Sequence, residues 1–308
     1  MSEVGRRAVL FVHAHPDDES LATGISLAHL SAAGHDVRVL TMTLGEEGEV
    51  IPPELRHLAA DAEDRLGPYR REELRAAMQA LGVAHRVLGE DPGSGVLSLY
   101  RDSGMAGTPS AERPEAFANA DVDEVAALVA EEITAVAPAA VVTYDRHGGY
   151  LHPDHVQTHR VTCAAVASLL PQERPALYAV LSPLSWVRED REWLAGQAVP
   201  REHGWSVPPL DAPYPPSAVA DQLVTHEIVD PSAVARQVAA LRAHRTQVTV
   251  VDGCYALSND IAARLSGREG FARLDPATGH LLPPQPRSVG DGGGGAARRH
   301  AGLVEDET

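Results

Sequence analysis

The chain has 308 residues, and its hydrophobic fraction of 44% is typical of a globular protein with a sizeable core. A formal net charge of -17 at pH 7 argues against a general nucleic-acid binder and against docking on an anionic membrane. With only Cys163 and Cys254, neither a disulfide framework nor a CxxC zinc site is expected. No signal-peptide pattern and no apolar stretch of membrane-spanning length is visible, so we expect a cytoplasmic protein.

Strand and helix patterns alternate from residue 8 to about residue 182. The apolar run AVLFV (8–12) predicts a strand buried on both faces, and the apolar stripe that follows predicts a helix over 18–34. The remaining predicted elements of this part are strands at 36–44, 85–89 and 139–145 and helices at 72–82, 122–138 and 154–170. The alternation is typical of a Rossmann-like three-layer α/β sandwich with a mostly parallel sheet.

The pattern becomes less regular after residue 183. Helices are predicted at 185–196 and 232–244. The last segment is Gly-rich and of low complexity, and we expect it to be disordered. The predicted organisation is a core over 1–182, a smaller C-terminal α+β portion over 183–282 packed on that core, and a tail over 283–308.

Two histidine-rich segments follow predicted strands. HAHPDDES (13–20) follows the first strand, and GGYLHPDHVQTH (148–159) follows the strand at 139–145. In open α/β sheets, ligands bind outside the carboxyl ends of the strands. Each segment contains His-Pro-Asp and one more potential ligand, and a catalytic zinc site takes three protein ligands and leaves one position open. Together the segments predict a metal site at this edge of the sheet.

Each segment alone also has a purely structural explanation. Asp17 and Asp18 could cap the following helix, and the histidines of the second segment could belong to a polar loop and a helix start. Their pairing at one sheet edge favours a site. We expect His13 to be buried and hydrogen bonded. His159 is expected to pack behind the site, because the Glu of an HExxH motif is missing.

On these two segments the chain resembles the LmbE/PIG-L family of zinc-dependent deacetylases, which act on N-acetylglucosaminyl compounds. The segments TLGEEGEV (43–50), GPYRREEL (67–74), RDSGMAGT (101–108) and ALSN (256–259) resemble the branch of the mycothiol pathway that deacetylates N-acetylglucosaminyl-inositol. The resemblance spans most of residues 8–260. It implies a Rossmann-like fold, one Zn²⁺ per subunit, a small amino-sugar inositol substrate and hydrolysis of a linear amide with release of acetate.

The resemblance also implies which residues hold the metal. The family's metal ligands match His15, Asp18 and His155, and its general base matches Asp17. Adjacent side chains diverge, so Asp17 is free to take a proton from water while Asp18 binds the metal. Zinc suits this chemistry because it lowers the pKa of bound water towards about 7, although His/Asp sites also accept Fe²⁺.

Other matched residues lie around the reacting carbonyl or the substrate. His152 matches a histidine that stabilises the oxyanion, Asp154 the carboxylate that orients and charges it, and Tyr150 a tyrosine near the carbonyl. A carboxylate beside His152 would raise the pKa of that histidine and keep it protonated. The proton for the leaving amine could come from Asp17 or from His152. The residues that match sugar and inositol contacts are Arg70, Asp102 and, more weakly, Glu49.

The sequence departs from the family pattern near the second segment and before RDSGMAGT. Arg146 and His147 are unusual in their loop, and Leu151 stands where a smaller residue or Pro is usual. The stretch 89–104 is an atypical lead into the Asp102 segment. These changes leave the metal residues in place and affect the expected fit of the substrate.

Several alternatives remain open. The amidase that cleaves mycothiol S-conjugates and deacetylases of other N-acetyl amino sugars share the metal motifs, although GEEGEV and RDSGMAGT favour N-acetylglucosaminyl-inositol. A nucleotide-binding Rossmann protein is disfavoured, because the turn after the first strand is acidic and lacks GxGxxG. A non-catalytic zinc module would leave Asp17 without a role. The sequence does not fix the oligomeric state.

Overall fold

The structure, a computed structural model, describes residues 7–284 and 299–304. The strands are β1 (Ala8–His13), β2 (Asp36–Thr41), β3 (Ala84–Val87), β4 (Ala140–Thr143), β5 (Ala176–Pro183), β6 (Ala218–Val219), β7 (His226–Val229), β8 (Thr249–Val251), β9 (Cys254–Ala256), β10 (Ala263–Arg264), β11 (Arg268–Arg273) and β12 (His300–Ala301). The α-helices are α1 (Asp18–Ala22), α2 (Gly24–Ala32), α3 (Leu66–Leu81), α4 (Val122–Val136), α5 (Gly148–Leu151), α6 (Pro153–Ser168), α7 (Leu184–Ala195), α8 (Val199–Glu202) and α9 (Val234–Ala243).

The main sheet has the strand order β12-β7-β11-β5-β4-β1-β2-β3, with β6 paired to β5. Strands β1 to β5 run parallel to their neighbours among themselves, which confirms the predicted α/β class with a mostly parallel sheet. Strand β1 lies directly beside β4, with Phe11 opposite Val142. Both histidine-rich segments therefore leave the sheet at the same edge, side by side.

The core lies on both faces of this sheet, because β1 alternates its side chains between them. Val9 and Phe11 pack in one buried cluster with residues of α2, α3 and α9. Leu10 and Val12 pack in the other, with residues of α4 and α6. Burying each such side chain contributes about 1.5–3 kcal/mol, so the apolar run at 8–12 anchors the strand that carries the first segment.

Two helices differ from their predicted bounds. The helix predicted over 18–34 is divided into α1 and α2, because the buried Glu269 carboxylate accepts hydrogen bonds from the amides of Ile25 (2.8 Å) and Ser26 (2.9 Å) and so starts a new helix there. Helix α3 begins at Leu66 rather than at 72. Pro68 lies in its first turn, where the missing N–H costs no intrahelical bond.

The C-terminal portion continues the main sheet. Strand β11 is antiparallel to β5 and β7, and Phe271 of β11 is fully buried in the same cluster as Val9. A small sheet, β10-β9-β8, lies within the same portion. These strands are short and interrupted by glycine and charged residues, which explains why the sequence pattern did not predict them.

Part of the segment expected to be disordered is ordered. Strand β12 pairs with β7, Leu303 is buried, and an Arg299 guanidinium nitrogen lies 3.0 Å from Glu227. The expectation of disorder is therefore wrong for 299–304, while 285–298 and 305–308 lie outside the described residues. Within the described ranges, no helix is both long and apolar enough to cross a membrane.

Candidate active site

The first segment forms a strained turn at the end of β1. Asp17 has φ 119° and ψ -33°, a conformation that costs a residue with a side chain about 1–3 kcal/mol. Its amide donates to Glu19 Oε2 (3.0 Å), and its carbonyl accepts from the amides of Ser20 and Leu21 at the start of α1. This backbone turns the adjacent carboxylates of Asp17 and Asp18 towards different partners.

The second segment leaves β4 through a glycine loop. Gly148 has φ 60°, and a Cβ on it would lie 2.6 Å from the Cβ of His155, so only glycine fits here. Leu151 also has a positive φ, of 74°, without the freedom of glycine. The loop ends at His152, whose Nδ1 accepts a hydrogen bond from the Asp154 amide (3.2 Å) and caps α6.

Three atoms from the two segments face one another. Asp18 Oδ2 lies 3.4 Å from His15 Nδ1 and 3.3 Å from His155 Nε2, and the two nitrogens are 3.3 Å apart. Ligand atoms around a tetrahedral zinc with bonds of about 2.0–2.1 Å are separated by about 3.3–3.4 Å. The spacing of these three atoms therefore fits such an ion.

The hydrogen bonds on the far side of each ring leave the facing nitrogens unprotonated in the neutral rings. His15 Nε2 lies 3.1 Å from Asp154 Oδ2, and His155 Nδ1 lies 3.2 Å from the Gly148 carbonyl. Both partners only accept, so the ring nitrogens beside them carry the protons. Two lone pairs at 3.3 Å beside a carboxylate repel one another unless a cation lies between them, which is a second argument that the donor set fits a metal.

Titration of the facing groups also fits metal binding. Burial lowers the pKa of His15, but the carboxylates of Asp102, Asp154 and Asp18 outweigh burial and hold it well above its usual value. The nearby histidines hold the pKa of Asp18 well below its usual range despite burial. A metal at His15 Nδ1 must therefore displace a proton, so binding weakens as the pH falls.

The Asp154 carboxylate differs from its expected role. It contacts His15 Nε2 and accepts hydrogen bonds from the amide and hydroxyl of Ser103, so it orients His15 rather than the His152 ring. His152 is consequently not held in the charged form. Burial, together with His15 and His155, lowers the pKa of His152 to about 3. Because Nδ1 accepts from the Asp154 amide, the neutral His152 ring carries its proton on Nε2. One ring nitrogen of His152 lies within 4.8 Å of a ring nitrogen of His15 and of His155.

Asp17 is half-buried beside the three facing atoms but has a different partner. Its Oδ2 lies 3.2 Å from Arg70 Nη2. Burial raises the pKa of Asp17 to about 6, although Arg70 opposes the shift. A carboxylate with a pKa close to the working pH is suited to take up and return a proton.

The three expected substrate contacts have different environments. Arg70 is 3% exposed and donates to the carbonyls of Gly45 and Pro16, which holds the first turn in place. Asp102 is 4% exposed, with Oδ1 3.4 Å from His15 Nε2. Glu49 is exposed and lines a polar cavity of about 820 Å³. Contact of these residues with a substrate stays a prediction, and the first two also support the metal-facing cluster.

Tyr150 stands at the open side of the cluster. It is 52% exposed, and its ring meets that of His155 edge-on, with centroids 5.0 Å apart. Tyr150, Asp18 and His155 line a second cavity of about 520 Å³, which extends towards Trp186 and Tyr255 of the C-terminal portion. A substrate can therefore reach the cluster beside Tyr150.

Sequence reasoning missed three residues of this region. Tyr144 stacks on His155 with centroids 4.3 Å apart, and its hydroxyl accepts from the Ala14 amide (2.9 Å). The position of Tyr144 directly after the buried strand β4 could have indicated that it lies next to the site. Ser103 lies within a segment singled out for its resemblance. His244 gave no signal, because it simply ends an amphipathic helix.

A mostly parallel α/β sheet with buried His and Asp ligand atoms at the carboxyl ends of β1 and β4 defines a protein that can hold a metal at its sheet edge. The chain belongs to the PIG-L family, described as GlcNAc-PI de-N-acetylase, whose family model matches residues 10–166. The family and the class of N-deacetylating hydrolase expected from the sequence are thereby confirmed.

Curated relatives match most of the chain. A protein of Thermomonospora curvata is 45% identical over 291 residues, covering 91% of this chain and 94% of the relative. One of Streptomyces scabiei is 46% identical over 287 residues, covering 88% and 85%. Both are named 1D-myo-inositol 2-acetamido-2-deoxy-alpha-D-glucopyranoside deacetylase.

Solved structures share the fold at low sequence identity. N,N'-diacetylchitobiose deacetylase from Pyrococcus horikoshii matches with a TM-score of 0.51 and 18% identity, covering 90% of this chain and 87% of that chain. GalB, the 4-carboxy-2-hydroxymuconate hydratase of Pseudomonas putida, matches with a TM-score of 0.50 and 17% identity, covering 92% and 99%. The fold thus hosts different reactions, and the reaction of this chain has to be argued from its site.

Proposed function

We propose that this protein removes the acetyl group from N-acetylglucosaminyl-inositol, in the mycothiol pathway, with Zn²⁺ held by His15, Asp18 and His155. The observation that carries the proposal is the set of three facing atoms at 3.3–3.4 Å with an additional, separately held carboxylate on Asp17. The names of relatives at 41–46% identity support the substrate. Zn²⁺ rather than Fe²⁺, and a cytoplasmic location, are parts of this proposal.

When bound, Zn²⁺ would supply an activated water and polarise the amide carbonyl. Asp17 takes the proton of the attacking water, for which its pKa of about 6 is suited. His152 donates from Nε2 to the carbonyl oxygen as negative charge develops there. Removing one such donor typically costs about 10²–10³ in rate. The Tyr150 hydroxyl stands at the open side, where it can reach the same oxygen.

The leaving amine receives its proton from Asp17 in this proposal. His152 Nδ1 is already occupied by the Asp154 amide, and the low pKa of His152 opposes a second ring proton. Asp17 alone therefore takes the proton from water and returns it to the nitrogen. This differs from a protonated His152 as the acid, which the sequence left open.

The polar cavity that Glu49 lines suits a polyhydroxylated substrate, and the amide of Glu47 in its wall donates to Asp102. Its lining includes the charged side chains of Glu47, Glu49, Arg56, Asp61 and Arg113. Glu47 and Arg113 already form an ion pair, but Glu49, Arg56 and Asp61 can hydrogen bond to inositol hydroxyls, which plain N-acetylglucosamine lacks. We therefore expect the inositol to increase kcat/KM.

An amine-release assay tests the proposal. It compares N-acetylglucosaminyl-inositol, N-acetylglucosamine and a mycothiol S-conjugate, with and without a chelator, followed by addition of Zn²⁺ or Fe²⁺. We expect turnover to stop with chelator, to return with Zn²⁺ and to be fastest on the inositol substrate. Undiminished turnover in chelator would remove the metal from the proposal. Faster cleavage of the S-conjugate would replace the deacetylase by the amidase.

A further inference from the structure

The carboxylate of Glu19 is fully buried behind the strained turn at Asp17 and does not face the ligand atoms of His15, Asp18 and His155. Glu19 Oε2 accepts the amide of Asp17 (3.0 Å). Its Oε1 accepts from His244 Nε2 (2.7 Å) and from the hydroxyl of Ser20 (2.6 Å). The side chains of Glu19 and His244 are both 0% exposed. Glu19 thus connects the backbone of Asp17 to a histidine 225 positions away in the sequence.

His244 reaches this point because the C-terminal portion packs under the turn. It is the C-cap of α9, and the same helix contacts α1 through Gln237, whose side-chain amide donates to the Ser20 carbonyl (3.0 Å). A Cβ on Gly24, the first residue of α2, would lie 2.9 Å from the Gln237 side chain, so α9 is in close contact with the start of α2 as well. The turn at Asp17 is therefore packed against α9, which lies outside both histidine-rich segments.

The Asp17 backbone needs such a support. Its φ of 119° is rarely adopted by a residue with a side chain and persists only where the surroundings determine it. Glu19 holds the amide of Asp17, and Arg70 holds its carboxylate, so the residue is fixed at both ends. Without the Glu19 acceptor, the peptide before Asp17 keeps only the hydrogen bond from Arg70 to its Pro16 carbonyl, so the peptide can tilt and shift the carboxylate.

We propose that Glu19 and His244 are positioning residues that fix the backbone of Asp17 so that its carboxylate meets the attacking water. The inference rests on the proposed function, in which Asp17 is the base. Neither residue touches the substrate or the three facing atoms. Their effect on turnover passes through Asp17, and a misplacement of about 1 Å can cost about 10²-fold in rate.

Two substitutions weaken the support. His244→Gln replaces the imidazole that donates to Glu19 by a neutral and more flexible amide, and Glu19→Gln replaces one accepting oxygen by an NH₂ group that faces either the His244 donor or the Asp17 amide. We expect each to lower kcat by about 10- to 100-fold, with KM and metal per chain unchanged. The matched control is His226→Gln, which removes another buried imidazole, on β7 at the far side of the sheet, and should leave kcat unchanged.

A double-mutant cycle distinguishes positioning from general stabilisation. In an Asp17→Asn background, His244→Gln and Glu19→Gln should change the residual turnover less than twofold, because their effect requires the Asp17 carboxylate. An equal loss in both backgrounds, or a loss of bound metal in the single variants, would overturn the positioning role.

Failure of the proposed function gives a different result. If Asp17→Asn alone keeps full turnover, Asp17 is not the base, whatever the His244 variant does. If His244→Gln does not fold, the double variant Glu19→Gln/His244→Gln restores an amide–amide hydrogen bond and serves as a second test. Recovery of kcat in this double variant to within threefold of the wild type is expected, and a kcat below that of Glu19→Gln would contradict the proposal.

Discussion

His15 Nδ1 and His155 Nε2 face each other at 3.3 Å, although they come from segments 140 positions apart. Each ring is turned by a hydrogen bond on its other nitrogen, from His15 to Asp154 and from His155 to the Gly148 carbonyl. The protein thus turns both nitrogens towards one point before any ion binds, and the metal then displaces the proton that the raised pKa of His15 keeps on Nδ1. This relationship connects the parallel pairing of β1 and β4 with the proposed chemistry, because neither segment alone supplies the site.

Removing one facing nitrogen should remove the metal. His155→Ala leaves two of the three facing atoms, so we expect bound metal to fall to a small fraction of one ion per chain. His159→Ala, one helical turn later, is the matched control, because its Nδ1 lies 2.9 Å from the Tyr144 carbonyl rather than in the cluster. Elemental analysis of both variants is the measurement. Full metal content in His155→Ala would show that the ion is held elsewhere.

Asp154→Asn tests the corrected role of that carboxylate. The amide oxygen of Asn is a weaker acceptor for the His15 Nε2 proton, so we expect metal affinity to fall by about 10- to 100-fold. Titration of the metal-free protein with Zn²⁺ measures this loss. Ser103→Ala, which removes only a neighbour of the carboxylate, should have a smaller effect. Unchanged affinity in Asp154→Asn would mean that the carboxylate does not orient His15.

The pair formed by Glu19 and His244 should make stability depend on pH. Burial raises the pKa of Glu19, but His244 outweighs burial and lowers it from 4.5 to about 2. A depressed pKa means stability that is present above pH 4.5 and lost as the pH falls towards 2, up to about 3 kcal/mol. Glu19 and its neighbours raise the pKa of His244 despite burial. The contribution of protonated His244 to the free energy of unfolding is therefore lost as the pH rises through that raised pKa.

Chemical unfolding at several pH values measures this dependence. The free energy of unfolding of the wild type should fall between pH 4.5 and 2 more steeply than that of Glu19→Gln, which has no group to titrate there. Parallel curves for the two proteins would contradict a charged pair. His226→Gln provides the control below pH 4, since it leaves the pair intact and burial lowers the pKa of His226 to about 4, which confines its own contribution to higher pH.

Backbone strain at the end of α4 offers a test of the fold. Ala137 is exposed and has φ 47° and ψ 54°, where a Cβ costs about 1 kcal/mol. We expect Ala137→Gly to raise the free energy of unfolding by up to about 1 kcal/mol. Ala33, the exposed C-cap of α2 with φ -74°, is the matched control, and Ala33→Gly should lower it by about 0.5–1 kcal/mol. Destabilisation by both substitutions would argue against the left-handed conformation at Ala137.

The parallel sheet could be predicted from the sequence, because buried parallel strands are encoded by apolar runs. The meeting of the two histidine-rich segments could be predicted as well, because ligands of open α/β sheets bind at the carboxyl ends of the strands. The apolar run 8–12 and the strand ending near Thr143 were enough to bring His15 and His155 together. The direction of each side chain was not predictable to the same degree. Asp154 turns to His15 because of the left-handed glycine loop before it, which the pattern of residue types does not reveal.

Polar contacts between residues far apart in the chain were the second feature that the sequence did not predict. The break between α1 and α2 depends on Glu269, and the support of Asp17 depends on His244; both residues are more than 220 positions away from their partners. Neither shows a pattern of its own, because one lies in a short strand and the other ends an amphipathic helix. Such pairings follow only from the packing of the C-terminal portion onto the core.

The separation of Asp17 from the metal-facing atoms is the central claim, and Asp17→Asn tests it most directly. Metal per chain and kcat on N-acetylglucosaminyl-inositol should be measured on the same preparation. We expect about one metal ion per chain and a kcat reduced by about 10²- to 10⁴-fold, because the proton acceptor is lost while the facing atoms remain. Loss of the metal would make Asp17 a ligand, and an unchanged kcat with metal retained would show that another group takes the proton.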